Sequence, residues 1–222
     1  MIKIIYDFLP KPLFNYLLSV VEHDTLNWNW NDRNLQVNDT TPGGEEVKLG
    51  KTLFVDSQLS GMGKEVYDKE IMPLFGVFQS FIEEHMQDRC KPTKMIRMKL
   101  NLYPNHGEKK KHGVHTDITQ NGMPDPTIVT SVFNFHTCNG STILYEKDKD
   151  GKFSDNSKEV VVPSTENSMI MFNNTHPHYG IVQSDTPTRI VLNTNLEKAY
   201  VDPFGPPDEN GKSEFEPVDD YF

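Results

Sequence analysis

The sequence predicts an α+β, mainly β fold: a double-stranded β-helix of the jelly-roll type, with its helices gathered in the N-terminal part. Three observations carry this expectation. Segments with helical periodicity end before about residue 92, the stretch from Met95 to Leu196 divides into eight short runs of strand character, and loop or turn residues such as Asn105–Lys111 and Asp185-Thr-Pro-Thr188 separate those runs. At 222 residues and 36% hydrophobic the chain can bury a substantial core, and a β-barrel of this length commonly forms one domain. One domain over 1–222 is therefore expected: helical support over about 1–92, a β-helix core over about 93–197, and an acidic, proline-rich tail over 198–222.

Element by element, Met1–Ile5 reads as an edge strand. Leu9–Glu22 reads as a helix opened by proline in its first turn, with Leu13, Phe14, Leu17, Leu18 and Val21 at helical spacing. Trp28 and Trp30 alternate with polar residues and suggest a short strand. Asn31–Lys51, containing Thr41-Pro-Gly-Gly44, is a long polar loop that could border an active site or simply lie on the surface. Lys64–His85 forms a second helical stretch with an apolar stripe of Val66, Ile71, Leu74, Phe75, Phe78, Phe81 and Ile82, which Pro73 should kink or split. The eight strands expected are Met95–Tyr103, His112–Ile118, Ile128–Phe135, Ser141–Tyr145, Glu159–Val162, Ser168–Phe172, His178–Gln183 and Arg189–Leu196. Lys147–Lys158 has the acidic look of a calcium loop, but with Gly151 at the turn position the last ligand position falls on Ser157, so it reads as a hairpin turn. The tail from Tyr200 to Phe222 is either a strap over the barrel or a mobile segment. No internal repeat is present.

Charge and cysteine usage narrow the class. A net charge of −10 argues against a broad polyanion-binding surface, so no nucleic-acid partner is expected. Lys109-Lys110-Lys111 is one basic run that could attract an acidic substrate, although such a run usually marks a solvated loop. No apolar run is long enough to span a bilayer, and the opening residues lack the pattern of a secretory signal. Cys90 and Cys138 form no CxxC, so a reduced, cytoplasmic chain is expected.

The chemistry concentrates in His115-Thr116-Asp117. On an extended backbone residues i and i+2 share a face, so His115 and Asp117 would be presented together while Thr116 points away. Two imidazoles and one carboxylate on one face of an octahedral Fe(II) leave three positions for a cosubstrate and dioxygen. The third ligand must come from elsewhere, and His176 and His178, on either side of Pro177, could each reach the metal. A planar guanidinium takes two carboxylate oxygens at once, so Arg189 suits a dicarboxylate better than lysine would. An HxD alone is weak in a chain with 8 histidines. Order strengthens it: Tyr103-Pro-x-x-Gly107, His115-x-Asp117, Asn139-Gly-Ser-Thr142, Pro177-His178 and finally Arg189, spanning about Lys94 to Leu196. This series resembles the prolyl-4-hydroxylase-like branch of the 2-oxoglutarate/Fe(II)-dependent dioxygenases, including its short bacterial and phage forms.

The resemblance implies roles that fit the residues. His115, Asp117 and His178 would bind iron, with His178 preferred to His176 because relatives present a Pro-His pair after a Phe-containing strand. Arg189 would hold the distal carboxylate of 2-oxoglutarate, and Tyr103 would either add its hydroxyl or only pack in the strand. Helices of this kind back the major sheet, which makes the aromatic stripe core. His106 and His112 read as solvated loop histidines and His136 as a hydrogen-bonded core or rim histidine. The expected activity is hydroxylation of a C–H bond in a prolyl or other peptide residue, or in a small metabolite, with O2 consumed, succinate and CO2 released, and ascorbate as an optional reductant. Two rivals remain: a zinc hydrolase, for which no HExxH exists and Arg189 would have no task, and a non-catalytic barrel that binds metal or 2-oxoglutarate without turnover.

Overall fold

The computed structural model describes residues 2–24, 26–30, 49–56, 65–86, 90–148, 152–154 and 157–200. Its strands pair antiparallel. The large, eight-stranded sheet runs β1 (Ile2–Ile5), β11 (Ser168–Asn173), β8 (Ile128–Asn134), β13 (Thr188–Tyr200), β5 (Cys90–Pro104), β3 (Leu49–Val55) and β2 (Asn29–Trp30), with β4 (Val66–Tyr67) also paired to β3. A three-stranded sheet consists of β10 (Glu159–Ser164), β9 (Cys138–Tyr145) and β12 (His178–Ile181), and β6 (Thr119–Gln120) and β7 (Met123–Pro124) form a separate hairpin.

Period-two alternation explains why the central strands are buried throughout. All seven residues of β8 are buried, because Val129 and Phe133 join a core with the helices while Val132 joins a second core with Tyr103, Leu144, Ile170, Phe172 and Val191. β11 divides the same way, with Met169 and Met171 toward the helices and Ile170 and Phe172 toward the small sheet. The second core therefore lies between the two sheets, as the jelly-roll expectation requires.

Among the described residues, three helices cover the outer face of the large sheet. α1 (Lys11–Val21) has proline in its first turn, where a missing N–H costs nothing, and buries Phe14, Leu17 and Val21. The helix expected over Lys64–His85 begins later and is split: Val66–Tyr67 is the strand β4, α2 covers Met72–Phe75, and α3 covers Val77–His85. Pro73 is responsible for the late start, because it fits only the first turn, and Gly76 marks the break between α2 and α3. Phe78 lies edge-on to Phe133 with centroids 4.9 Å apart, and Phe133 meets Phe135 at the same distance. The aromatic stripe is thus core.

The expected strand His112–Ile118 is corrected. This segment is held by isolated bridges, Lys111 to Ile181 and His115 to His178, the latter with paired backbone hydrogen bonds of 2.9 Å. Beyond Asp117 a side chain takes the place of a neighbouring strand: Asn174 accepts from Ile118 N at 3.0 Å and donates to Ile118 O at 2.7 Å. An amide carries the same donor and acceptor as a peptide, so one residue satisfies the backbone where no ladder continues. Next, the β6–β7 hairpin turns through Asn121 and Gly122, both at positive φ, as a two-residue hairpin of the I′ kind demands.

Other boundaries move outward. β5 starts at Cys90 and β13 reaches Tyr200, into the segment expected as tail, and Leu49–Lys51, expected in the long loop, belongs to β3. Residues 31–48 of that loop and residues 201–222 of the tail lie outside the described residues. Between β9 and β10, Asp148 accepts from Lys152 N at 3.0 Å and from the Ser154 hydroxyl at 2.7 Å, which closes the turn that the sequence suggests. Among the described residues no helix is long and apolar enough to cross a membrane.

Candidate metal centre

His115 and Asp117 lie on the bridge-held segment, and His178 is the first residue of β12, directly across from His115. One ligand atom from each of the three falls within 4.8 Å of the others. His115 Nε2 is 3.7 Å and His178 Nε2 is 3.8 Å from Asp117 Oδ1, and the imidazole centroids are 4.6 Å apart. Each ring is oriented by its other nitrogen. His115 Nδ1–H donates to Gly113 O at 3.0 Å and His178 Nδ1–H to His176 O at 3.2 Å, so both Nε2 lone pairs are free to face a metal. Phe172 lies edge-on to His178 at 4.9 Å and limits its rotation.

Electrostatics keep Asp117 and His178 in their ligating protonation states. Burial opposes ionisation of Asp117, but Arg97 foremost, then His178 and His115, and a hydrogen bond from Asn195, hold its carboxyl far below the usual carboxylate range. Burial pushes His178 down to about 4 despite the neighbouring Asp117, so its imidazole is neutral at neutral pH. The His115 side chain is 49% exposed, whereas those of Asp117 and His178 are each 6% exposed, so the cluster opens on the His115 side.

Arg189 lies at the start of β13 and is 2% exposed. Its guanidinium donates to Ser164 Oγ, Ser141 O, Ile181 O, Asn134 Oδ1 and Thr142 Oγ1 at 3.2–3.4 Å, all neutral oxygens. Gly140 makes room for it, since a Cβ there would stand 3.1 Å from Arg189 Cδ and 3.0 Å from Ile181 O. Tyr103 is buried beside it, with the guanidinium carbon 5.9 Å from the ring centroid. The expected carboxylate anchor is therefore a buried cation whose described contacts include no acid. A buried charge of this kind is costly unless an anion joins it.

His176 is outside the cluster: its ring packs on Phe153 at 5.3 Å, and its carbonyl orients His178. His112, expected in a solvated loop, is instead buried, 5.0 Å from the Tyr103 ring and against Gly180. His106 is half-buried. His136 is the hydrogen-bonded residue the sequence suggests, accepting from Ile190 N at 3.3 Å and donating to Glu22 at 2.9 Å. Lys109, Lys110 and Lys111 are exposed, and Lys111 lies 4.0 Å above the Tyr179 ring.

Four further residues shape the centre and escape motif reading. Arg97 Nη2 is 3.1 Å from Asp117 Oδ1, while Asn193 and Asn195 donate to Oδ2 at 2.9 and 3.0 Å. Asn174 fixes Ile118, next to Asp117. Alternation could have found two of them, since Arg189, Val191, Asn193 and Asn195 share one face of β13.

No family model and no curated protein matches the chain. Solved structures do. An oxidoreductase of the 2OG-Fe(II) oxygenase family from Burkholderia pseudomallei aligns with TM-score 0.60 at 10% identity, over 88% of this chain and 85% of that one. A Trichoplax adhaerens prolyl hydroxylase, in complex with a hypoxia-inducible-factor oxygen-degradation-domain peptide, aligns with TM-score 0.55 at 15% identity, over 88% and 83%. The non-haem, alpha-ketoglutarate-dependent epimerase SnoN from nogalamycin biosynthesis aligns with TM-score 0.53 at 12% identity, over 90% and 79%. The fold of the chain is thus the double-stranded β-helix of the 2OG-Fe(II) oxygenases.

Proposed function

We propose that the chain is one Fe(II)- and 2-oxoglutarate-dependent oxygenase domain that hydroxylates a C–H bond. In this reading His115, Asp117 and His178 hold the iron, Arg189 anchors the distal carboxylate of 2-oxoglutarate, and Tyr103 assists Arg189 or packs beside it. The observation that carries it is the pairing of two features between the sheets: a clustered His-Asp-His set and a buried arginine surrounded by neutral oxygens. The donor set fits the group, since two imidazoles and one carboxylate suit Fe(II), and a fork of N–H donors suits a carboxylate. A zinc hydrolase would leave Arg189 without a task.

When bound, iron and 2-oxoglutarate supply the oxidising power by consuming O2 and releasing succinate and CO2. The chain's own residues do the rest. Gly113 and His176 carbonyls hold the two imidazoles in the tautomer with Nε2 unprotonated. Arg189 would hold the far carboxylate of the cosubstrate, and the apolar core of Val132, Leu144, Phe172 and Val191 keeps water from the space between the sheets. No acid-base side chain is required for breaking the C–H bond.

The substrate is proposed as a prolyl or other peptide residue, supported by likeness to a hydroxylase that takes a peptide, or a small metabolite, supported by likeness to an epimerase of a natural-product route. The test is anaerobic titration with Fe(II) and 2-oxoglutarate, then succinate release in air against proline peptides and free amino acids. Tight binding of both with substrate-dependent succinate is expected. Activation by zinc without 2-oxoglutarate, or binding without O2 consumption, would overturn the proposal.

A further inference from the structure

Arg97 contributes no metal-ligand atom, yet three of its contacts bear on Asp117. Nη2 lies 3.1 Å from Asp117 Oδ1, Nε donates to Asn195 Oδ1 at 2.9 Å, and Nη2 also donates to Asn193 Oδ1 at 3.1 Å. Because each asparagine oxygen faces Arg97, each amide nitrogen must face the other way, and both donate to Asp117 Oδ2 at 2.9 and 3.0 Å. Asn195 also donates to Thr130 Oγ1 at 3.0 Å, which fixes its amide further.

Two consequences follow from chemistry. Oδ2 already accepts two hydrogen bonds, so a metal is offered Oδ1 alone and the carboxylate can ligate through only one oxygen. In addition, a permanent positive charge stands beside the ligating atom. The side chains of Arg97 and Asp117 are 15% and 6% exposed, so water screens this charge poorly. Its repulsion is greater for a trivalent than for a divalent ion at the same position.

We propose that Arg97 is a positioning residue with two effects: through Asn193 and Asn195 it orients Asp117 for single-oxygen ligation, and its charge holds bound iron in the ferrous state. The proposal rests on His115, Asp117 and His178 being the iron ligands. An ion pair that served stability alone would provide the orientation but would not set the oxidation state of the metal.

Wild-type protein, Arg97→Gln, Arg97→Lys, Asn195→Ala and Asp117→Ala are loaded anaerobically with Fe(II) and equilibrated with redox mediators, which take one electron from each iron oxidised. The ferric fraction is read by electron paramagnetic resonance at the potential where wild type is half oxidised. Arg97→Gln is expected to raise the ferric-to-ferrous ratio about tenfold. Arg97→Lys should stay within about threefold of wild type because it retains the charge, and Asn195→Ala should keep the ratio while binding iron more weakly. An unchanged or lowered ratio in Arg97→Gln, or a lysine variant that behaves like glutamine, overturns the proposal. Should Arg97→Gln not fold, a raised ratio in Asn195→Ala, whose charge is intact, overturns it equally. Iron uptake by Asp117→Ala equal to wild type would instead refute the ligand assignment.

Discussion

Two buried charges in the space between the sheets, Asp117 and Arg189, are treated in opposite ways. Asp117 is fully answered by its own chain: a guanidinium on one oxygen and two amides on the other. Among the described residues, Arg189 hydrogen-bonds to neutral oxygens. A charge that is completed internally is a structural part of the molecule, whereas one left with dipoles is tuned for an external partner. The first should therefore be expensive to remove and the second cheap, even though both are proposed to act in one reaction.

The largest effect is expected at the completed charge. Asp117→Ala should abolish 2-oxoglutarate turnover and destabilise the metal-free protein by about 3–5 kcal/mol, because Arg97 is left buried without its acid. Succinate assays and urea unfolding measure both. Unaffected succinate release would sink the ligand assignment, and unchanged stability would remove the asymmetry.

Acid should act next, through the same end of the barrel. The folded-state pKa of His178 lies below its unfolded value of 6.5, at about 4. Between those values the unfolded chain binds a proton that the folded chain does not, so stability falls as pH falls from 6.5 toward 4. The loss is about 3 kcal/mol for metal-free protein. Unfolding of wild type and His178→Ala across this range checks it, since the variant should have the shallower slope.

At the open charge, Arg189→Met should weaken 2-oxoglutarate binding about 100-fold, yet leave ligand-free stability unchanged or raised by about 1 kcal/mol. Equilibrium titration and thermal unfolding of the same variant would show the split. Destabilisation comparable to that of Asp117→Ala would show that the neutral oxygens satisfy Arg189 after all. The smallest effect is expected from Gly140→Ala, whose methyl group would press on Arg189 Cδ and Ile181 O, at a cost of about 1–2 kcal/mol with a modest loss of cosubstrate affinity.

What the sequence disclosed and what it hid have separate physical causes. The strand pattern and the order of His115, Asp117, His178 and Arg189 are legible because alternation and motif spacing are local properties. The ring of groups around Asp117 is not, since Arg97 and Asn195 meet across 98 positions of chain and only register brings them together. The non-ladder conformation of His112–Ile118 was hidden for a similar reason. It depends on Asn174, a side chain doing the work of a backbone, which no propensity scale anticipates. The late start of the second helical stretch was closer to legible: Pro73 marked the interruption, but the pairing of Val66–Tyr67 with β3 needed the fold.

The isolated bridge between His115 and His178 bears on when the cluster can form in a growing chain. β12 is a four-residue strand registered on β9, and the groups that orient Asp117 come from β5 and β13, the first and last long strands of the barrel. The hydrogen bonds that orient Asp117 are therefore incomplete in a nascent chain until β13 has docked. Completion of the hydrogen bonding around Asp117 is then a late event of folding instead of a nucleus for it, and a ribosome-bound chain lacking β13 would hold Asp117 without its two amide donors.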